Sequence, residues 1–171
     1  MSAAAHEDLS AVPVRPAWPV WSTPPAARRP SRSIDEVLSD ARSRLVRLTA
    51  GRARQACAER GAVLVDIRPE AQRATEGELP EAVVIERNVL EWRFDPTCEA
   101  RLSRAAYDLE VIVVCQEGYT SSLAAAALQE LGIWRATDLI GGYAAWRGAG
   151  FTRHQSERAQ TPISADGPAR A

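Results

Sequence analysis

Lysine is absent from this 171-residue chain, so all 21 of its basic residues are arginine. That excludes a lysine Schiff base and a Walker-type phosphate loop, both of which need the amine. Twenty-two acidic residues offset the arginines to a formal charge of −1, so no polybasic tract for nucleic acid or a membrane surface is expected. We read the missing lysine as a trace of an Ala- and Arg-rich coding genome. Histidine is almost as scarce. His6 and His154 both fall in segments that read as tails, leaving the core no imidazole for a Cys-His or Ser-His-Asp hydrolase. The three cysteines, Cys57, Cys98 and Cys115, are far apart and form no C-x-x-C pair. No metal site, no disulfide framework and no cofactor is therefore expected. The longest apolar run, Leu123 to Leu128, is far short of the roughly 20 residues that span a bilayer. The opening Met1-Ser-Ala-Ala-Ala-His-Glu-Asp has no hydrophobic stretch, so no secretory signal is expected and a cytoplasmic location is.

What is present suits a soluble domain: 46% hydrophobic and 25% charged residues, enough for one core. Six of the eleven prolines lie in the first thirty residues, so 1–32 reads as an extended, disordered tail. Trp18 and Trp21 are unusual in such a tail. They are expected either to pack back onto the domain or to serve a partner or self-association. A capping box at Ser33 and Glu36, with apolar residues at helical spacing, predicts an amphipathic helix within 33–48. A second helix is predicted from Gly51 to Arg60, stopped by Gly61, with Cys57 a buried structural thiol on its small-residue face. Cys98 falls in a long connection and is expected to be neutral. Predicted strands at Ala62–Val65, Ala82–Ile85, Val111–Val114 and Thr137–Ile140 alternate with helices at Ser122–Leu131 and Gly142–Trp146. Short apolar runs alternating with helices predict an α/β fold, a three-layer α/β/α arrangement around a central parallel sheet. The stretch 152–171 is polar and aperiodic and reads as a flexible tail.

Ligands of open parallel sheets collect at the carboxyl ends of the strands. Cys115 stands there, between Val111–Val114 and the start of a helix. The loop Gln116-Glu-Gly-Tyr-Thr-Ser121 contains Gly118, free to take positive φ and let the turn curl around the sulfur. Successive loop amides aimed inward would form an anion nest. Thr120 to Ser122 add hydroxyls and free amides at the positive end of a helix. A helix terminus supplies only about 0.3–1 kcal/mol, so the amides must do most to favour a reactive thiolate.

Four segments then resemble the rhodanese domain over about Thr49 to Phe151. Val65-Asp66-Ile-Arg68 is similar to the family's Asp-x-Arg, and Glu76-Gly-Glu-Leu-Pro-Glu-Ala82 to its Gly-His-Ile-Pro-Gly-Ala. Val113-Val-Cys-Gln-Glu-Gly-Tyr-Thr-Ser121 matches the active-site loop, and Leu139-Ile-Gly-Gly-Tyr-Ala-Ala-Trp-Arg-Gly-Ala-Gly150 the C-terminal signature. The resemblance implies a sulfurtransferase with Cys115 as its catalytic residue and 116–121 binding substrate: Gln116, Glu117, Gly118, Tyr119, Thr120 and Ser121. It implies a small sulfur-containing anion or persulfide as donor and a thiol or cyanide-like acceptor. A persulfide on Cys115 links the two half-reactions, with ping-pong kinetics.

The departures from the family pattern carry information. Gln116 and Glu117 stand where thiosulfate-specialised members often have Arg or Lys, so thiosulfate is expected to be a poor donor. Arg68, Arg73 or Arg87 are the candidates for compensating charge. Asp66 and Arg68 are expected to support the site as an ion pair bracing a strand end, and Trp146 to be core. Glu78 and Glu81 replace the family's His and Gly without touching the proposed chemistry. A cysteine phosphatase on this fold would need Cys, five residues and then Arg, but the sixth residue after Cys115 is Ser121. The remaining alternative is a non-catalytic binding or sulfur-sensing module.

Overall fold

The computed structural model describes residues 31–151; the tryptophans and histidines of the two tail segments lie outside them. The elements are α1 (Ile34–Ser43), α2 (Ala50–Arg60), β1 (Val63–Asp66), α3 (Glu70–Glu76), β2 (Val83–Val84), α4 (Leu90–Phe94), β3 (Val111–Val114), α5 (Thr120–Glu130), β4 (Ala136–Asp138) and α6 (Gly142–Gly148). All four strands are parallel, in the order β2-β1-β3-β4.

The central strands β1 and β3 are buried along their whole length, as continuous apolar runs require when both faces are covered. Their side chains alternate. Val63, Val65, Val111 and Val113 pack with Leu90, Phe94, Ala124, Ala125 and Leu128 of α4 and α5. Leu64, Ile112 and Val114 pack with Ala50, Ala53 and Ala56 of α2 and with Tyr143 and Trp146 of α6. The result is a sheet between two helical layers, with Trp146 in the core. Among the described residues no helix is long and apolar enough to cross a membrane.

Ser33 caps α1 with the predicted box: its Oγ accepts from Glu36 N–H at 3.2 Å, and Glu36 Oε2 accepts from Ser33 N–H at 2.7 Å. The helix ends at Ser43 instead of continuing toward 48. The sheet captures the following residues: Thr137 Oγ1 donates to Val46 O (2.8 Å) and Leu48 N–H to Asp138 O (3.0 Å). Helix α2 starts at Ala50, one residue before the predicted start, on a Thr49 cap, and Gly61 ends it at φ 70°. Strand β2 shrinks to two residues, and β4 runs over 136–138 with Leu139 held by a single bridge to Leu48. Helices α3 and α4 escape the sequence reading. Helix α3 buries no residue and α4 has only five, so neither shows an apolar period.

Glu110, just before β3, accepts from Arg60 at the end of α2 (2.6 and 3.0 Å) and from Arg135 before β4 (2.5 Å). The Arg60 hydrogen bonds chiefly hold its carboxyl below the usual range, with the charges of Arg60 and Arg135 adding to them. A carboxylate depressed in the folded state stabilises it above the unfolded value, and that stability is lost as pH falls through the folded one. Glu110→Gln should therefore melt lower than wild type at pH 7, and the gap should close in acid. A gap that persists unchanged at pH 3 would remove the charge argument.

Candidate active site

Three strand ends converge at the carboxyl edge of the sheet: Asp66 on β1, Cys115 after β3 and Asp138 on β4. Cys115 is 9% exposed and forms the floor of a cleft of about 450 Å³. Its Sγ accepts from the N–H of Gly118 (3.2 Å) and of Ser121 (3.3 Å). The thiol donates to Ser121 Oγ at 3.2 Å, and the Ser121 hydroxyl donates on to Asp138 Oδ2 at 3.3 Å. The curl depends on Gly118, at φ 79°, where a Cβ would stand 2.9 Å from Gly141 N and 3.0 Å from Leu139 O.

Helix α6 fixes the other side of the loop. Tyr143 N–H donates to Cys115 O (2.8 Å) and Ala144 N–H to Gln116 O (3.0 Å). Gly142 allows that approach, since a Cβ there would clash with the Cys115 carbonyl oxygen and stand 2.7 Å from Gln116 C. Of the loop residues singled out in the sequence, Cys115, Gly118 and Ser121 surround the sulfur. Gln116, Glu117, Tyr119 and Thr120 line the cleft instead, with Tyr119 56% exposed. Helix α5 starts two residues earlier than the sequence predicts. The Ser122 N–H is therefore not free but donates to Tyr119 O, and the Ser122 hydroxyl turns to Gly118 O and Asp138 Oδ2.

The arginines divide by role. Arg68 is held mostly below the cleft: its fork grips buried Asp66 (2.6–3.1 Å), donates to Gly77 O (2.9 Å) and lies 3.6 Å over the Tyr143 ring, while Nη1 faces the cleft and reaches Gln116 Oε1 at 3.5 Å. Arg73 binds Arg68 O and pairs loosely with Glu78 and Glu86. Arg87 lines the cleft, paired with Glu91 at 2.8 Å. The sequence reading misses three contributors: Asp138, Arg42 and Arg47. Only Asp138 could have been suspected, as a carboxylate at the end of a parallel strand.

The other two cysteines differ in setting. Cys57 is half-buried, not fully buried; desolvation, then the charge of Glu81, pushes its thiol upward, away from the reactive form. It lines a larger cleft, about 610 Å³, with Val63, Pro80 and Trp146. That cleft is at the amino ends of the strands, so size alone does not mark the chemistry. Cys98 is half-buried in a turn, its N–H donating to Asp95 O. No cluster of three or more His, Cys, Asp or Glu among the described residues could hold a metal ion.

The rhodanese-like domain family matches residues 49–149. The chain belongs to that family. A Rhodopseudomonas palustris protein of unknown function, described as a possible tyrosine phosphatase, is 30% identical with a TM-score of 0.63. That match covers 75% of this chain and 97% of the other. The human single-domain sulfurtransferase is 23% identical over 60% of this chain and 95% of its own, with a TM-score of 0.51, and shares the rhodanese-like fold. No curated protein matches the chain.

Proposed function

We propose that the protein is a sulfurtransferase that carries sulfane sulfur on Cys115. One observation bears most of the weight: a single cysteine opens into a cleft with two backbone N–H groups directed at its sulfur and a hydroxyl beside it. Backbone donors fixed by the fold hold negative charge on sulfur without reorganising. Once the thiol proton has left to solvent, the Ser121 hydroxyl can turn from Asp138 to the sulfur as a third donor. The thiolate attacks the outer sulfur of the donor. The new Sγ–S bond forms as the donor's S–S bond breaks, and the electron pair leaves with the departing thiolate or sulfite. An acceptor thiolate then attacks the bound sulfur and restores Cys115. Neither step needs histidine, metal or cofactor.

Donor choice follows from the rim. Glu117 has no ion-pair partner among the described residues, and the two arginines that line the cleft are already paired, Arg68 with Asp66 and Arg87 with Glu91. A dianion such as thiosulfate is disfavoured relative to a sulfane donor of lower charge, such as an organic persulfide. The phosphatase reading lacks its clamp: the sixth residue after Cys115 is Ser121, whose hydroxyl is 3.3 Å from a carboxylate oxygen of Asp138.

Incubation with an organic persulfide should add one sulfur, about 32 Da, at Cys115. Thiosulfate should load it roughly fivefold more slowly, the equivalent of about 1 kcal/mol of solvated repulsion. Mass spectrometry of intact and digested protein reads both. Failure of every sulfane donor to label Cys115, or equal labelling of Cys115→Ser, would leave the binding or sensing module instead.

A further inference from the structure

Behind the active-site loop, on the side away from the cleft, stand two guanidiniums from a segment that precedes the 49–149 family match. Arg42, on the last turn of α1, donates from Nη2 to Gly118 O (2.8 Å) and from Nε to Ser122 Oγ (3.3 Å), and lies 5.3 Å from the Tyr119 ring centroid. Arg47, in the extended stretch after α1, forks onto Asp138 (2.7 and 3.0 Å) and also reaches Gly118 O (3.2 Å). We propose that Arg42 and Arg47 are positioning residues for Cys115, so that the arm before the domain completes the sulfur site.

Two physical effects carry this. First, Gly118 has the widest backbone freedom of any residue, yet its N–H must face the sulfur. Its carbonyl accepts from Arg42 and from Arg47. These donors hold the Gly118 dihedrals and hence the N–H to Sγ bond. Second, Asp138 is completely buried one hydroxyl away from the sulfur, where its charge opposes a thiolate or persulfide. Arg47 neutralises it bidentately, as buried carboxylates require.

The other charged and titratable groups around the sulfur remain constant in the test. They are the Asp66–Arg68 pair at the end of β1, Arg87 with Glu91 beside the cleft, Glu117 in the loop, and the Tyr119 and Tyr143 phenols.

The inference rests on Cys115 being the sulfur carrier, and the test keeps the two apart. The full-length chain is alkylated with iodoacetamide across pH 5–10 and Cys115 modification is followed by mass spectrometry, beside polysulfide loading at pH 7. Arg47→Ala should move the alkylation midpoint up by about one pH unit and slow loading on the order of tenfold. Arg47→Lys should retain part of both. Adding Asp138→Asn to Arg47→Ala should bring the midpoint back, which a purely structural defect would not do. Arg42→Ala should lower kcat with KM little changed. A midpoint equal to wild type in Arg47→Ala, an unchanged kcat in Arg42→Ala, or a double variant no better than Arg47→Ala, would overturn the proposal. Wild type that alkylates normally but takes up no sulfur would instead overturn the transfer reading alone.

Discussion

Gly142→Ala should cost about 2–5 kcal/mol of stability and abolish most sulfur loading in the protein that still folds. Gly142 sits at φ 57°, a left-handed conformation that strains any residue with a Cβ. The added carbon has no room: Gln116 C and O would both lie at 2.7 Å, and the Cys115 carbonyl oxygen closer still. These are backbone atoms, which cannot swing aside as a side-chain tip would. Either α6 retreats and gives up the Tyr143 N–H to Cys115 O bond, or the Cys115–Gln116 peptide moves and carries the sulfur off its amide donors. Gly148, in the same helix, supplies the control, because a Cβ there meets nothing within 4 Å. Gly148→Ala should be neutral or stabilise by roughly 0.5–1 kcal/mol, the ordinary helix preference for alanine. Urea denaturation and the mass shift at Cys115 read both outcomes. A Gly142→Ala protein with wild-type midpoint and loading would show that the close approach of α6 does not hold the loop.

Arg68→Met should be comparably damaging, about 3–5 kcal/mol, for an electrostatic reason. Asp66 and Arg68 are both fully buried, and Asp66 accepts from the Arg68 backbone N–H (3.0 Å) as well as from its guanidinium. Methionine fills much of the volume but leaves a carboxylate in the core without its counter-charge. It also deprives Gly77 O of a donor and the Tyr143 face of a cation. Asp66→Asn added to Arg68→Met should recover part of the loss by removing the stranded charge. A single-variant loss below about 1 kcal/mol, or a double variant less stable than Arg68→Met, would show that water reaches Asp66 and that the pair is not a desolvated one.

How far each feature could be read in advance depends on how local its cause is. The parallel sheet follows from uninterrupted runs such as Val111–Val114, because only strands covered on both faces lose the polar alternation. Cys115 follows from its place after such a run, and the turns at Gly61 and Gly118 from residues that adopt positive φ without strain. The four-segment resemblance, which the family match at 49–149 bears out, required nothing beyond chain order. Elements without an apolar period were invisible: α3 exposes every turn, and α4 is a single turn closed by Leu90 and Phe94. The end of α1 was misplaced because hydrogen bonds to β4, some ninety residues later in the chain, interrupt a helical pattern that continues in the residues themselves.

Charge was least legible. Arg42, Arg47, Arg68, Arg73 and Arg87 are the same residue type, and spacing cannot say where five flexible side chains point. Packing separates them: Arg68 into a buried pair, Arg73 onto a backbone carbonyl, Arg87 to the cleft, Arg42 and Arg47 onto the back of the loop. Periodicity and glycine placement, which act over a few residues, are enough to specify this sheet and the strand end that bears the Cys115 sulfur. The partners around that sulfur come from residues 42 to 143, and their juxtaposition exists only once burial has removed water and left each charge a single available counterpart.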